Sequence, residues 1–215
     1  MQRKLALFSD DQELHANEAM NERLLRLIGR PRPQIGYIPE ASDPARVSFE
    51  RKRNCYAEIG AELAAYVDEE SPENEWAAVL ACDAIHLSGG NTFSFLYWLK
   101  ERGLLPVLRR YVSDGGVLVG VSAGAILMTR SVHSAALCGD PPEARLTDYT
   151  ALGLIDFHFW PHFDPTCGLN DEQIALAESL PQLHACPGGA GIIVDGDKVE
   201  LFGTIRLYPA LGDAE

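Results

Sequence analysis

The sequence predicts an α/β protein, a three-layer doubly wound sandwich around a mostly parallel sheet, and three observations carry that expectation. Short, nearly continuous apolar runs alternate with amphipathic helical patterns, and such runs suit strands buried on both faces by covering helices. At 215 residues and 47% hydrophobic composition the chain can fill one core and is short for two, so a single domain over residues 1–215 is expected. Finally, the segments richest in chemistry, Gly89-Gly90-Asn91, Ser122 and His162, each stand where a predicted strand ends, the edge at which open parallel sheets place their sites.

Taken in order, Lys4 to Phe8 is an apolar run ending in Ser-Asp-Asp, as a first buried strand opening into a polar loop would read. Met20, Leu24, Leu27 and Ile28 share one helical face, and Gly29, Pro31 and Pro33 stop that helix. Gln34 to Ile38 reads as the second strand, closed by Pro39. Pro44 to Leu63 predicts a longer charged helix, whose Arg51-Lys52-Arg53 cluster has the character of a solvated face. A short strand at Ala64 to Val67, a helix at Pro72 to Leu80 and a strand at Ala84 to Leu87 follow, the last running into Ser-Gly-Gly-Asn-Thr. Two helical patterns, Phe93 to Leu99 and Leu104 to Tyr111, are separated by Gly103, and Gly115-Gly116 lead into the apolar strand before Ser122. Arg130 to Thr150 has few periodic positions and reads as a loop beside the site or as plain surface connection. Gly153 to Trp160 predicts a strand, Asp171 to Leu180 a helix, and the stretch from Ile192 to Phe202 a hairpin turning at Asp195-Gly196-Asp197.

Bulk properties exclude several classes of function. A formal net charge of -13 and a pI near 4.8 speak against a nucleic-acid partner. The same field repels acidic substrates, so acidic specificity would require a local Arg or Lys. The apolar run near the start is too short for a signal h-region or a membrane span, which points to a cytoplasmic protein with no membrane partner. Cys55, Cys82, Cys138, Cys167 and Cys186 form no Cys-x-x-Cys pair, so neither a zinc site nor a disulfide framework is expected.

The central motif is Gly120-Val-Ser-Ala-Gly124, a hydroxyl bracketed by small residues where a strand turns into a helix. That is the pattern of a nucleophile elbow, although a buried turn without chemistry gives the same letters. Ser122 would need a base, and of His133, His158, His162 and His184 the favoured one is His162, stiffened by Pro161 at a strand end; His158 reads better as a structural imidazole. Gly89 and Gly90 would allow close backbone approach, and the N–H groups of Gly90 and Ala123 would then form an oxyanion hole. An ordinary turn capping a helix at Asn91 fits the same letters.

Ser88-Gly-Gly-Asn-Thr-Phe, then Gly120-Val-Ser-Ala-Gly-Ala, then Pro161-His162-Phe163 together resemble peptidase family S51, the aspartyl dipeptidase or peptidase E family, to which cyanophycinase is more distantly related. The resemblance implies a fold similar to class I glutamine amidotransferases, a Ser122 nucleophile, a His162 base, Gly89 and Asn91 against the substrate, hydrolysis of short peptides including those with N-terminal aspartate, and no metal or organic cofactor. The expected partner is a small peptide substrate; a homodimer is compatible with the reading.

The chain departs from that family pattern at two places. Where the family carries an acid in a Leu-Pro-Glu-Gly segment, this chain reads Cys186-Pro187-Gly188-Gly189, which makes Asp164 the nearest candidate to orient His162; a helix-capping or loop aspartate is the competing reading. And residues 166–175 hold no Arg or Lys to clamp a substrate carboxylate, leaving Arg130, Arg145 or Arg206 as replacements. Two other functions stay open: a catalytically silent binding protein that has lost its acid, and an esterase using Asp148 before His162.

Overall fold

The structure is a computed structural model and describes residues 3–10 and 18–208. Its centre is a seven-stranded sheet in the order β3-β2-β4-β5-β1-β8-β9. Strands β1 (Lys4–Phe8), β2 (Gln34–Ile38), β3 (Glu62–Tyr66), β4 (Ala84–Leu87) and β5 (Val117–Val121) run parallel, whereas β8 (Gly191–Asp195) pairs antiparallel with β1 and β9 (Lys198–Phe202) antiparallel with β8. Every residue of β4 and β5 is buried, which explains why β5 reads as an unbroken apolar run and β4 as one interrupted only by His86, whose Nδ1 meets the Tyr56 hydroxyl.

Helices cover both faces, as the three-layer expectation requires. Helix α1 (Glu18–Ile28) buries Met20, Leu24 and Leu27, and with α2 (Val47–Glu58) closes the core that includes Ala6, Phe8, Val119 and Val121. On the other face α3 (Trp76–Leu80), α4 (Thr92–Glu101), α5 (Leu104–Ser113) and α6 (Ala123–Ile126) pack with Leu5, Leu7, Leu87 and Leu118 in the larger core. The two faces alternate along β1: Leu5 and Leu7 go one way, Ala6 and Phe8 the other.

The expected helix at 44–63 is shorter, because the Asp43 carboxylate accepts from the N–H groups of Val47 and Ser48 and starts α2 there. The third strand begins at Glu62 rather than Ala64. The predicted strand over 153–160 keeps only β6 (His158–Trp160), and it lies in a separate small sheet, ordered β10-β7-β6, with β7 (Leu183–Ala185) and β10 (Arg206–Tyr208). Neither β7 nor β10 is expected from the sequence, being three residues each. The small sheet shields its own apolar cluster of Trp160, Phe163, Leu180 and Leu183 under α7 (Asp171–Ser179). The polar loop expected after Phe8 lies partly outside the described residues.

Strand order fixes where the site forms. Strands β2, β4, β5 and β1 are neighbours and parallel, so Pro39-Glu40, Ser88 to Asn91, Ser122 and Ser9-Asp10 all emerge at one edge. Because β8 runs the other way, with Gly191 opposite Phe8, the turn before β8 arrives at that same edge.

Candidate active site

Ser122 stands at φ 51° and ψ -110°, between the last residue of β5 and the first of α6. A non-glycine residue there costs on the order of 1–3 kcal/mol and persists only when its surroundings over-determine it. They do: the Ser122 N–H donates to the Phe8 carbonyl (2.9 Å), and its carbonyl accepts from Ala125 and Ile126. The flanking glycines are required by space. A Cβ on Gly120 would meet the Gly124 carbonyl carbon at 2.4 Å, and one on Gly124 would meet the Leu87 carbonyl oxygen at 2.3 Å. The elbow therefore nests against both the preceding strand and β4.

His162 Nε2 lies 2.8 Å from Ser122 Oγ. The histidine is itself held at positive φ, 57°, by bonds to its backbone: its N–H donates to Ser9 Oγ (2.8 Å), that hydroxyl donates to the Cys186 carbonyl (2.8 Å), and the next N–H, of Phe163, donates to the same carbonyl (3.1 Å). The other three histidines after the elbow go elsewhere. His158 is buried in β6, where burial pulls its pKa down; His133 meets Ser131 Oγ; His184 packs at a tilt against Phe157 with centroids 4.5 Å apart.

The N–H groups of Gly90 and Ala123 enter no hydrogen bond among the described residues, and both flank Ser122. Gly89 packs close to the serine, a Cβ there falling 3.5 Å from Ser122 Cβ. Gly90 must be glycine on two counts, its φ of +139° and a would-be Cβ contact of 2.6 Å with Glu40 Oε2. Glu40 thus walls the site beside that loop. Its N–H donates to Ser88 Oγ and its carbonyl accepts from Trp98 Nε1, and burial raises its carboxyl pKa against the lowering effect of the Asn91 N–H.

Two residues expected at the site are engaged otherwise. Asn91 caps α4, its Oδ1 accepting from Ser94 N–H while Nδ2 donates to the Pro141 carbonyl (2.7 Å), so its amide is engaged by the fold. Asp164 does not orient His162: Oδ1 accepts from the N–H and hydroxyl of Thr166, and Oδ2 takes the Cys167 thiol. Those bonds, the Thr166 hydroxyl first, hold its pKa down to about 2. It is the turn aspartate of the competing reading. Asp148, the acid an esterase reading would need, pairs with Lys100 (2.7 Å) on the surface.

A cleft of about 420 Å³ opens over Ser122 and His162, walled by Asp10, Glu40, Arg51 and Lys52 among others. The basic cluster on α2 therefore faces the cleft with Arg51 and Lys52, which the reading as a solvated face missed; the signal was the helix start at Val47, which sets the face they occupy. The replacement cations expected from elsewhere are spent. Arg130 pairs with Asp156, Arg145 with Glu143, and Arg206 lies over the Tyr208 ring. Residues 130–150 do not line the cleft; Thr92 N–H to Asp140 and Asn91 to Pro141 fasten them to the body, and a bridge between Ser131 and Thr150 closes the segment on itself. Among the described residues no three His, Cys, Asp or Glu side chains gather to hold a metal ion, and no helix is long and apolar enough to cross a membrane.

Comparison with known proteins agrees with this architecture. A Drosophila melanogaster protein named "Probable alpha-aspartyl dipeptidase" is 34% identical over 156 residues, 67% of this chain and 63% of its own length. Peptidase E of Shewanella amazonensis is 31% identical over 140 residues, 61% of this chain and 58% of the relative. The chain thus spans somewhat under two thirds of the length of these two relatives. Among solved structures, a proposed peptidase E from Listeria monocytogenes superimposes with a TM-score of 0.75 at 22% identity, covering 95% of this chain and all of that one. A peptidase from an acI-B1 Actinobacterium gives 0.72 at 18% identity over 96% and 91% of the two chains. At those identities the likeness speaks for the fold. The model of peptidase family S51 matches residues 5–202, and the chain belongs to that family.

Proposed function

We propose that the chain is a serine-type peptidase acting on short peptides with a free amino terminus. The observation that carries this reading is the 2.8 Å approach of His162 Nε2 to Ser122 Oγ with both residues at positive φ, strain of the kind that clusters at functional sites. Ser122 Oγ attacks the scissile carbonyl as His162 takes its proton, the N–H groups of Gly90 and Ala123 receive the oxyanion, and His162 returns the proton to the leaving amine. Water then repeats the sequence on the acyl-enzyme. Glu40, a half-buried carboxylate beside Gly90, is placed to pair with the substrate ammonium, and Arg51 supplies the cation for an N-terminal aspartate. The family and the names of the relatives support peptidase chemistry; the serine–histidine roles and the aspartyl preference are our reading.

A second reading, a binding protein without turnover, is favoured by one feature: position 188 carries no carboxylate and Asp164 is spent on its own turn. Cleavage of a dipeptide panel with Asp-X, Glu-X and neutral members separates the two. Wild type is expected to cut Asp-X fastest, and Ser122→Ala to lower the rate at least about a thousandfold. Equal rates for both proteins, or no cleavage by either, would favour the binding protein.

A further inference from the structure

A histidine that accepts a proton at Nε2 relies on a partner at Nδ1 to fix its tautomer and support the imidazolium. Here Nε2 is committed to Ser122, and among the described residues nothing hydrogen-bonds Nδ1. Of the nearby carboxylates, Asp164 is occupied by Thr166 and Cys167, and Glu40 stands against Gly90 on the oxyanion side.

Asp10 remains, and its placement is specific. It directly follows Ser9, whose hydroxyl receives the His162 N–H. Its Oδ2 stands 2.7 Å from where a Cβ on Gly188 would begin. Gly188 belongs to the turn closed by Ala190 N–H to the Pro187 carbonyl (3.0 Å), immediately after Cys186, whose carbonyl receives Phe163 N–H. Asp10, His162 and Gly188 thus sit on three chain segments tied together by one hydroxyl and one carbonyl. Asp10 lines the cleft with His162 and Ser122, and its carboxylate has no hydrogen bond or ion pair among the described residues. Space is the second half of the argument: the carboxylate occupies the volume that any side chain at position 188 would enter, so an acid at 10 and a glycine at 188 are complementary.

We propose that Asp10 is the positioning residue of His162, delivered from the end of β1 in place of a carboxylate at position 188, an inference that rests on the Ser122–His162 reading. The two side chains make no direct hydrogen bond; rotation of the Asp10 carboxylate or one bridging water completes the contact, as such bonds commonly tighten only when the reacting group is in place.

The test is the rate at which a fluorophosphonate modifies Ser122 in the full chain, followed across the neutral pH range, with His162→Ala as reference. Asp10→Asn is expected to slow modification at least about tenfold at neutral pH and to move the acid limb of the profile to lower pH, since a base without its anion is weaker. Gly188→Ala, which displaces the same carboxylate from the other side, should act in the same direction, and Asp10→Gly combined with Gly188→Glu should restore the rate and the limb. A fold lesion would slow the reaction without moving the limb and would not be rescued. If Asp10→Asn and Gly188→Ala both keep the wild-type rate and profile while His162→Ala is slow, the proposal is overturned and the Ser122–His162 reading survives. If His162→Ala reacts as fast as wild type, both fall.

Discussion

Ser122 and His162 lie 2.8 Å apart, yet the chain holds them by different means. Around Ser122 the constraint is steric and local: glycines at 120 and 124 sit where any Cβ would strike backbone at 2.3–2.4 Å, and the neighbouring strand β4 is wholly buried. Around His162 the constraint is a few hydrogen bonds from segments far apart in the chain, Ser9 and Cys186, and the side chain is exposed. Under the proposed mechanism this places the Ser122 nucleophile rigidly, while His162 keeps the freedom to turn as it passes a proton from serine to leaving group. Rigidity comes from close-packed backbone, which has little room to yield; adjustability comes from contacts that can lengthen individually.

That contrast is open to direct attack. The largest effect is expected on the serine side. Gly124→Ala forces backbone against the Leu87 carbonyl and should cost about 3 kcal/mol or more, with at least about a hundredfold loss of peptidase rate as the elbow shifts; chemical denaturation and kcat on the preferred dipeptide read both. Gly168→Ala, where a Cβ meets nothing within 4 Å, is the control and should change little. On the histidine side Ser9→Ala should be milder. It removes the acceptor for the His162 N–H, costing about 1–2 kcal/mol, and kcat should fall about tenfold with KM nearly unchanged. Should Ser9→Ala prove as damaging to the fold as Gly124→Ala, the contrast drawn above is mistaken.

The smallest effect concerns the cleft wall beside Gly90. Burial raises the folded pKa of Glu40, so the folded chain holds that proton more readily than the unfolded one. The cost of keeping the group ionised is absent below the ordinary carboxylate range, near pH ~4, and complete once pH exceeds the raised folded value. Glu40→Gln should therefore raise Tm at neutral pH, with the gain disappearing as pH falls through that window, while KM for free-amine dipeptides rises because the ammonium loses its counter-charge. Thermal melts at neutral and acidic pH check the first part; a mutant no more stable at neutral pH would show that Glu40 is not held against a desolvation cost.

Most of the fold was readable because parallel strands buried on both faces leave an apolar run, as β5 does in every residue and β4 does around the single buried His86. The short strands of the small sheet were not, since three residues such as Leu183 to Ala185 carry no periodicity of their own. The elbow was legible because its glycines stand at fixed spacing from Ser122, Gly120 crowded by the adjacent turn at Gly124 and Gly124 by the Leu87 carbonyl of β4. An N-cap and a ligand amide use the same residue type, and only the direction of the Asn91 side chain, toward Ser94 and Pro141, distinguishes them. Asp164 was favoured for nearness along the chain, and its own turn claimed it.

By itself, then, the sequence determined the family, the layered α/β architecture and the strained serine, because these depend on periodicity and on short-range steric rules. Which acid and which cation face that serine was decided only in three dimensions. Asp10 is 152 residues before His162 in the numbering yet reaches the site because β1 lies between β5 and β8, and Arg51 reaches the cleft because the Asp43 cap starts α2 at Val47. Charge and hydrogen bonding act through space across strand ends, and adjacency there is set by strand order rather than by distance along the chain.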